Sequence, residues 1–333
     1  MIRYFGFSGL LTVAALAVAF VGLGAGAAVT TLVLIAIEIA FSFDNAILNA
    51  KILERLSKTW QQLFLTVGMV FAIVGVRFVF PILIVMVTAG LSWSTVINDA
   101  LHHPDVYGKH LEEAHASISA FGGGFLLTLT LYFLFEIREV LWLKRIERPL
   151  QRVGGTIWLP ALLGLLVIIP VGLFAGEDSG EVLRAGIIGV ISYSAIKLFI
   201  DALGKLAPEE QKIYTGWPAF LAFMYLQVLD ASFSFDGVLG AFAITDQVLL
   251  IALGLGVGAI WVRSLTVFLV RQGTLGTYKY LEHGAHYAIF VLAAALLLSI
   301  YYEVPDAITG IVGLGVIGSS YVASREALHA KQR

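Results

Sequence analysis

Two stretches of this chain repeat one another, and together they restrict its possible folds more than any other feature. Residues 38–50 read EIAFSFDNAILNA and residues 230–245 read DASFSFDGVLGAFAIT. An acid, two residues, Phe-Ser-Phe and Asp thus recur at one spacing, Glu38 to Asp44 and Asp230 to Asp236. Each copy is followed by a Gly and an Arg nine positions apart, Gly68 with Arg77 and Gly254 with Arg263. Two matches in the same order indicate an internal duplication.

The acids stand out because their surroundings are so apolar. The chain is 59% hydrophobic and 13% charged, against roughly 45–50% and about 25% for a soluble domain, which makes it a membrane protein in contact with a lipid bilayer. A net charge of -2, and aromatic residues without basic neighbours, argue against a nucleic-acid partner. With no Cys, disulfides, thiolate metal sites and Cys nucleophiles are excluded, leaving oxygen, His and Met as metal donors.

A membrane-spanning helix needs about 20 apolar residues. That rule gives ten segments, at approximately 4–24, 28–50, 61–89, 115–136, 157–175, 184–204, 217–241, 247–270, 284–302 and 306–324. The first is expected as a span; the alternative, a signal peptide with Arg3 before an apolar run ending in small residues, fits less well because the run is long for an h-region and no clean A-x-A site follows. With the N-terminus inside, the inner connections hold sixteen Lys and Arg residues and the outer ones only Lys109 and Arg184, so both termini are expected in the cytoplasm. The twin motifs then lie on segments two and seven, five crossings apart, and run in opposite directions. The expected fold is therefore all-α and polytopic, with about ten transmembrane helices and an inverted repeat pairing segments 2–4 with 7–9. It forms one domain over 1–333, with repeat 1 at about 28–136, an amphipathic cytoplasmic linker at about 137–156 and repeat 2 at about 217–302. Residues 92–114, with His102, His103 and His110, are expected as a long outer loop.

A carboxylate at the centre of a bilayer costs about 2.5–3.5 kcal/mol on insertion scales. Glu38, Asp44, Asp230 and Asp236 therefore need Arg partners, a bound cation or a role in carrying protons. Six residues of helix turn through roughly 600°, which sets the two acids of one motif about 120° apart. Ser42 with Asn45, and Ser234 with Gly237, weaken the helix at each Asp, and a break there would free carbonyls to join the carboxylates. The expected site is built on two broken motif helices, with Asp44, Asp236, Glu38, Asp230, Asn45, Ser42 and Ser234 as oxygen ligands. Such a set suits a hard divalent ion, Mn²⁺, Mg²⁺ or Ca²⁺. Arg77 and Arg263 are expected as charge partners, either fixed neutralisers of the acids or groups that exchange partners when a cation arrives. Glu112 with His115, and Glu282 with His286, are expected to open segments four and nine as polar helix-end residues or as a second shell handling protons. No catalytic residue and no prosthetic group is expected. Lys197 either snorkels or pairs with Asp201, one turn on.

The paired motifs, their FDNA and FDGV continuations and the Gly-x8-Arg segments resemble the TerC-like integral membrane proteins, in particular a subgroup of uncharacterised bacterial membrane proteins. The family pattern is matched at Ser42, Asp44 and Asn45, then at Asp230, Phe233, Ser234, Asp236 and Gly237. The resemblance implies an inverted-repeat fold related to the lysine-exporter superfamily. It also implies metal-ion efflux, with manganese the foremost substrate. About ten segments, where commoner members have about seven, is a departure from that family. Two alternatives stay open on the residues themselves: an aspartyl intramembrane protease using two membrane Asp residues as a dyad, and a metal-dependent membrane assembly factor. The protease reading leaves the matching extra acids and the repeated Arg without a role.

Overall fold

In this computed structural model the backbone is described except at residues 1, 80–81, 83–84, 87–90, 155, 157, 207–212, 243, 246, 274–276, 303 and 333. Side chains are described except at those positions and at 2–3, 40–41, 44, 72, 76–78, 101, 104, 199–200, 202–206, 228–229, 231–240, 242, 306–307 and 330–332. The expectations for Asp44, Arg77, Ser234 and Asp236 therefore concern side chains outside the described residues.

The described chain is almost entirely helical, and it divides into two compact units. Among the described residues, four helices are long and apolar enough to cross a membrane, over Tyr4–Leu23, Asp105–Phe135, Val248–Arg271 and Leu281–Ser299, with shorter apolar helices at Ala25–Ile39 and Leu159–Leu173. Large aliphatic side chains such as Leu10, Val13, Val21, Leu162 and Leu166 are exposed along two of these helices. An apolar outer surface of this kind belongs in lipid.

The first unit comprises Met1–His115 and Ile213–Gln272. Its helices are α1 (Ile2–Leu23), α2 (Ala25–Phe41), α3 (Phe43–Leu53), α4 (Lys58–Leu65) and the short α5 (Val67–Val70). They are followed by a π-helix over Phe71–Val79, then α6 (Trp93–His102), the start of α7 (Pro104–Phe135), α11 (Gly216–Phe242) and α12 (Val248–Arg271). Helix α12 packs along α2, with α1 against both, while α3 and the π-helix lie on α11 and α12. The approach of α2 to α12 rests on two glycines four apart. A Cβ on Gly254 would stand 2.4 Å from the Leu34 Cβ, and one on Gly258 2.5 Å from the Glu38 Cβ. Small residues at this spacing let membrane helices close on one another.

Helices α3 and α11 run antiparallel. Asn45 meets Asp230 and Leu53 packs with Ala219, Phe223 and Leu226; just outside the two helices, Leu56 and Tyr214 form a parallel bridge. Positions later on α3 thus meet positions earlier on α11. The Tyr214 N–H donates to the Arg55 carbonyl at 2.6 Å and the Ser57 N–H to the Tyr214 carbonyl at 3.1 Å, fixing this end of the pair.

The second unit comprises Ala116–Lys212 and Gly273–Arg333. It holds the remainder of α7, α8 (Lys144–Val153), α9 (Leu159–Leu173), α10 (Ser179–Leu206), α13 (Leu281–Ser299) and α14 (Asp306–Gln332). Helices α9 and α10 pair, as do α13 and α14. The Lys197 ammonium lies 2.9 Å from the Asp201 carboxylate, the second of the two arrangements expected for it.

Three expectations are corrected. Residues 92–114 are not a loop but α6 and the start of α7. Ser92 caps α6 by accepting the Thr95 N–H at 3.3 Å, Pro104 suits the first turn of α7, and buried Val96, Ala100, Tyr107, Leu111 and Ala114 recur at helical spacing beneath a polar face. Glu112 and His115 consequently fall inside α7 and do not open it. The expected span at 61–89 breaks at Thr66 (φ -107°, ψ -79°), where the Thr66 hydroxyl bonds back to the Gln62 carbonyl at 2.9 Å, an arrangement that bends helices. A π-helix, rare and often found at functional sites, then carries Arg77.

The third correction concerns the motif helices. The first is interrupted only by a turn at Ser42 (φ -97°, ψ 15°). The second continues as helix from Gly216 to Phe242 through the whole motif. Ser234 and Gly237 lower helix propensity, but neither removes a backbone donor as Pro would, so surrounding helix holds them in place.

Candidate functional site

In the first unit, Asp230 sits on α11 with 4% of its surface exposed. One carboxylate oxygen accepts the Asn45 side-chain amide of α3 at 2.7 Å and the other accepts the Arg263 guanidinium of α12 at 2.8 Å. Arg263 is itself 2% exposed. It also donates to the Phe64 carbonyl at 2.6 Å and to the Gln227 side-chain oxygen at 3.3 Å, and its guanidinium carbon lies 4.2 Å over the Phe64 ring. A Cβ on Gly68 would fall 2.8 Å from the Arg263 Nη1 atom, so any larger residue there would oblige the tip of the guanidinium to shift. The network draws on α3, α4, α5, α11 and α12. At 2.8 Å the ion pair is a charge-assisted hydrogen bond in a medium where Coulomb attraction is strong and an unpaired partner costly.

Glu38, on α2, is 2% exposed and accepts the Ser42 hydroxyl at 3.0 Å. The Ser42 turn preserves helical bonding, for the Ser42 N–H donates to the Glu38 carbonyl at 3.0 Å and the Ala46 N–H to the Ser42 carbonyl at 3.1 Å. Of the residues expected as ligands, the structure thus joins Asn45 to Asp230 and Ser42 to Glu38. Among the described residues no three acids or histidines converge as a metal-ligating group.

A second buried polar cluster, in the other unit, escaped the sequence reading. Glu147 is 2% exposed although it lies on α8, the charge-rich helix after the 136–143 connection. Its carboxylate accepts the backbone N–H groups of Trp142 at 3.0 Å and Leu143 at 3.1 Å, and the Tyr287 hydroxyl at 3.0 Å. The His283 Nε2 atom is 3.5 Å from it and 3.1 Å from the Val140 carbonyl. A carbonyl only accepts, so the proton resides on Nε2. The buried Nδ1 has no hydrogen-bond partner among the described residues.

Glu282 and His286 share a face of α13, but the imidazole Nδ1 bonds to the Glu282 backbone carbonyl at 2.8 Å. The Glu282 carboxylate lies instead 3.5 Å from Arg138, which also pairs with Glu136. The His286 ring stacks on Phe133 with centroids 3.5 Å apart, and the Arg138 guanidinium lies 3.5 Å over the same ring. On α7, Glu112 is exposed and His115 half-buried. The sequence signal for Glu147 was faint: Glu four residues after Leu143 could cap α8, whereas its burial depends on side chains of α13.

No curated protein and no solved structure matches the chain. A family profile does: that of DUF475, described as a protein of unknown function, matches residues 43–331, an interval holding both motif aspartates, Asp44 and Asp236, and both arginines, Arg77 and Arg263; the chain belongs to this family.

Proposed function

We propose that the chain is a secondary transporter that exports a hard divalent cation, with Mn²⁺ the leading substrate, by alternating access and proton exchange. The observation that carries this reading is the arrangement around Asp230. A buried carboxylate of the second repeat is held by the Asn45 amide of the first, and its Arg263 partner reaches the Phe64 carbonyl of the first. In inverted-repeat transporters the substrate site lies where the repeats meet. The antiparallel course of α3 and α11 supports opposite crossings of the motif helices, within a ten-span inverted repeat akin to that of the TerC-like proteins.

In this mechanism the cation is held by carboxylate, hydroxyl and amide oxygens of Asp44, Asp236, Glu38, Asp230, Ser42, Asn45 and Ser234. Arg263 neutralises Asp230 while the site is empty. A divalent ion arriving at the acids competes with the guanidinium and with protons, so occupancy by metal excludes both. Proton competition gives the coupling its direction: metal affinity rises with pH, and an acidic compartment draws the cation toward itself by exchange. The outside of a bacterium is normally the acidic side, which makes the direction export.

Inside-out vesicles test this. Mn²⁺ uptake should accelerate when the lumen is acidic and should be lost in Asp44→Asn and Asp236→Asn, which keep side-chain shape while removing charge. Equal uptake with and without the gradient, or wild-type rates in both variants, would refute the reading.

A further inference from the structure

Glu38, Ser42, Asn45 and Asn49 follow one another at intervals of four, three and four residues. At about 100° per residue these positions fall within an arc of roughly 60° on one helix face. The turn at Ser42 keeps its four-residue bonding on both sides, so the face continues from α2 into α3. Every member is buried, Glu38 and Asn45 at 2%, Ser42 at 6% and Asn49 at 1% exposure. Asn45 reaches Asp230, which identifies this face as the one turned toward the acid network. Asn49 is the next position along it, its Cβ about 5–6 Å from that of Asn45. The Asn49 Oδ1 atom has no hydrogen-bond partner among the described residues.

A second amide lies at the same level. Because α3 and α11 are antiparallel, one turn forward from Asn45 corresponds to one turn back from Asp230, and that turn carries Gln227. It is 1% exposed, its oxygen accepts from Arg263, and its Nε2 lacks a partner among the described residues. An acceptor and a donor thus stand buried and unsatisfied on facing helices, beside the charged network. Leaving such groups buried and unpaired destabilises the fold. The remaining buried positions of α3 are filled by Ala46, Ile47, Leu48, Ala50 and Leu53, so an apolar residue would serve packing better at Asn49.

We propose that Asn49 and Gln227 form a second station for the transported divalent cation, held in partly hydrated form one helical turn from the acids toward the Leu53 end of α3. The amide oxygen of Asn49 replaces a water of the ion's hydration shell, and the Gln227 amide donates to an outer water that itself accepts from a water the ion retains. The station rests on the transporter reading and adds to it a step between the acids and one side of the membrane.

The test uses the full chain in proteoliposomes, with Mn²⁺ as the probe for both uptake and equilibrium binding. Asn49→Leu should slow uptake by about tenfold or more while metal affinity at the acids stays within about threefold of wild type. Asn49→Asp, which adds a charge, should bind Mn²⁺ about tenfold more tightly and turn over more slowly. A merely structural amide predicts the opposite pattern, a lower melting temperature for Asn49→Leu with uptake reduced only in proportion to folded protein. Should Asn49→Leu not fold, Asn49→Ser withdraws the oxygen without an apolar clash and carries the same expectation. If wild type moves Mn²⁺, Asp236→Asn does not, and the Asn49 variants match wild type in rate and affinity, the station is overturned while the transporter reading stands. If wild type neither binds nor moves Mn²⁺, both fall.

Discussion

Asp230 in the first unit and Glu147 in the second are buried almost equally, at 4% and 2% exposure, yet the protein accommodates their charges by opposite means. The described partners of Asp230 are side chains from two other helices, the Arg263 guanidinium and the Asn45 amide. Glu147 is held mainly by two backbone N–H groups at the start of its own helix and by the Tyr287 hydroxyl. A side-chain partner can swing away and be replaced by a cation. Backbone donors cannot leave without unwinding α8, as at other carboxylate-capped helix entries. The first arrangement suits chemistry and the second suits architecture.

The largest effect that separates them is on flux. Asp230→Asn should reduce Mn²⁺ uptake by about a hundredfold, equivalent to roughly 2.7 kcal/mol in the barrier, whereas Glu147→Gln should leave the rate per folded molecule near wild type. Comparable losses in the two variants, measured in the same vesicles, would erase the distinction.

Stability sharpens it further. Arg263→Gln leaves the Asp230 charge without its cation, a loss of about 3–5 kcal/mol for a buried pair, and saturating Mn²⁺ should restore much of it by supplying replacement charge. A melting curve for this variant that ignores Mn²⁺ beside a responsive wild type would show that Arg263 is a fixed neutraliser. Glu147→Gln keeps an acceptor for one backbone donor and should cost about 1–3 kcal/mol. That deficit should be the same with and without metal. The smallest effect is expected of Tyr287→Phe, which removes one hydrogen bond to Glu147 and should cost about 0.5–1.5 kcal/mol with no change in uptake.

Much of the helical plan could be read from the sequence, because a run of about 20 apolar residues has few fates other than a membrane helix. Segments such as 247–270 and 157–175 lie close to α12 and α9. Local polarity misled at 92–114, where His and acidic residues cover the outer face of helices whose buried positions are widely spaced. Chain-breaking signals were overweighted at Gly237 and Ser234, since α11 passes through both. At the site, spacing identified Asp230 and Arg263 as costly charges, but spacing within one helix carries no information about which carbonyl or amide a distant helix will present. The Phe64 carbonyl, Gln227 and the backbone amides around Glu147 became visible only with the packing. Asn49 is the plainest omission: it stands in the quoted motif stretch, four residues past Asn45, and only its burial without a partner distinguishes it from a neutral polar residue.

Gly68 gives the acid network a footprint wider than its chemistry. It carries no charge and offers no ligand atom, yet a single added carbon there would collide with the Arg263 guanidinium. In a survey of replacements, Ala or Ser at position 68 should therefore disturb the network by displacing the guanidinium tip, and larger residues should disturb it more. A residue important for what it leaves out can be mistaken for one that takes part, and comparing Gly68→Ala alone with the same change in an Arg263→Gln background, where the guanidinium is gone, would tell the two apart.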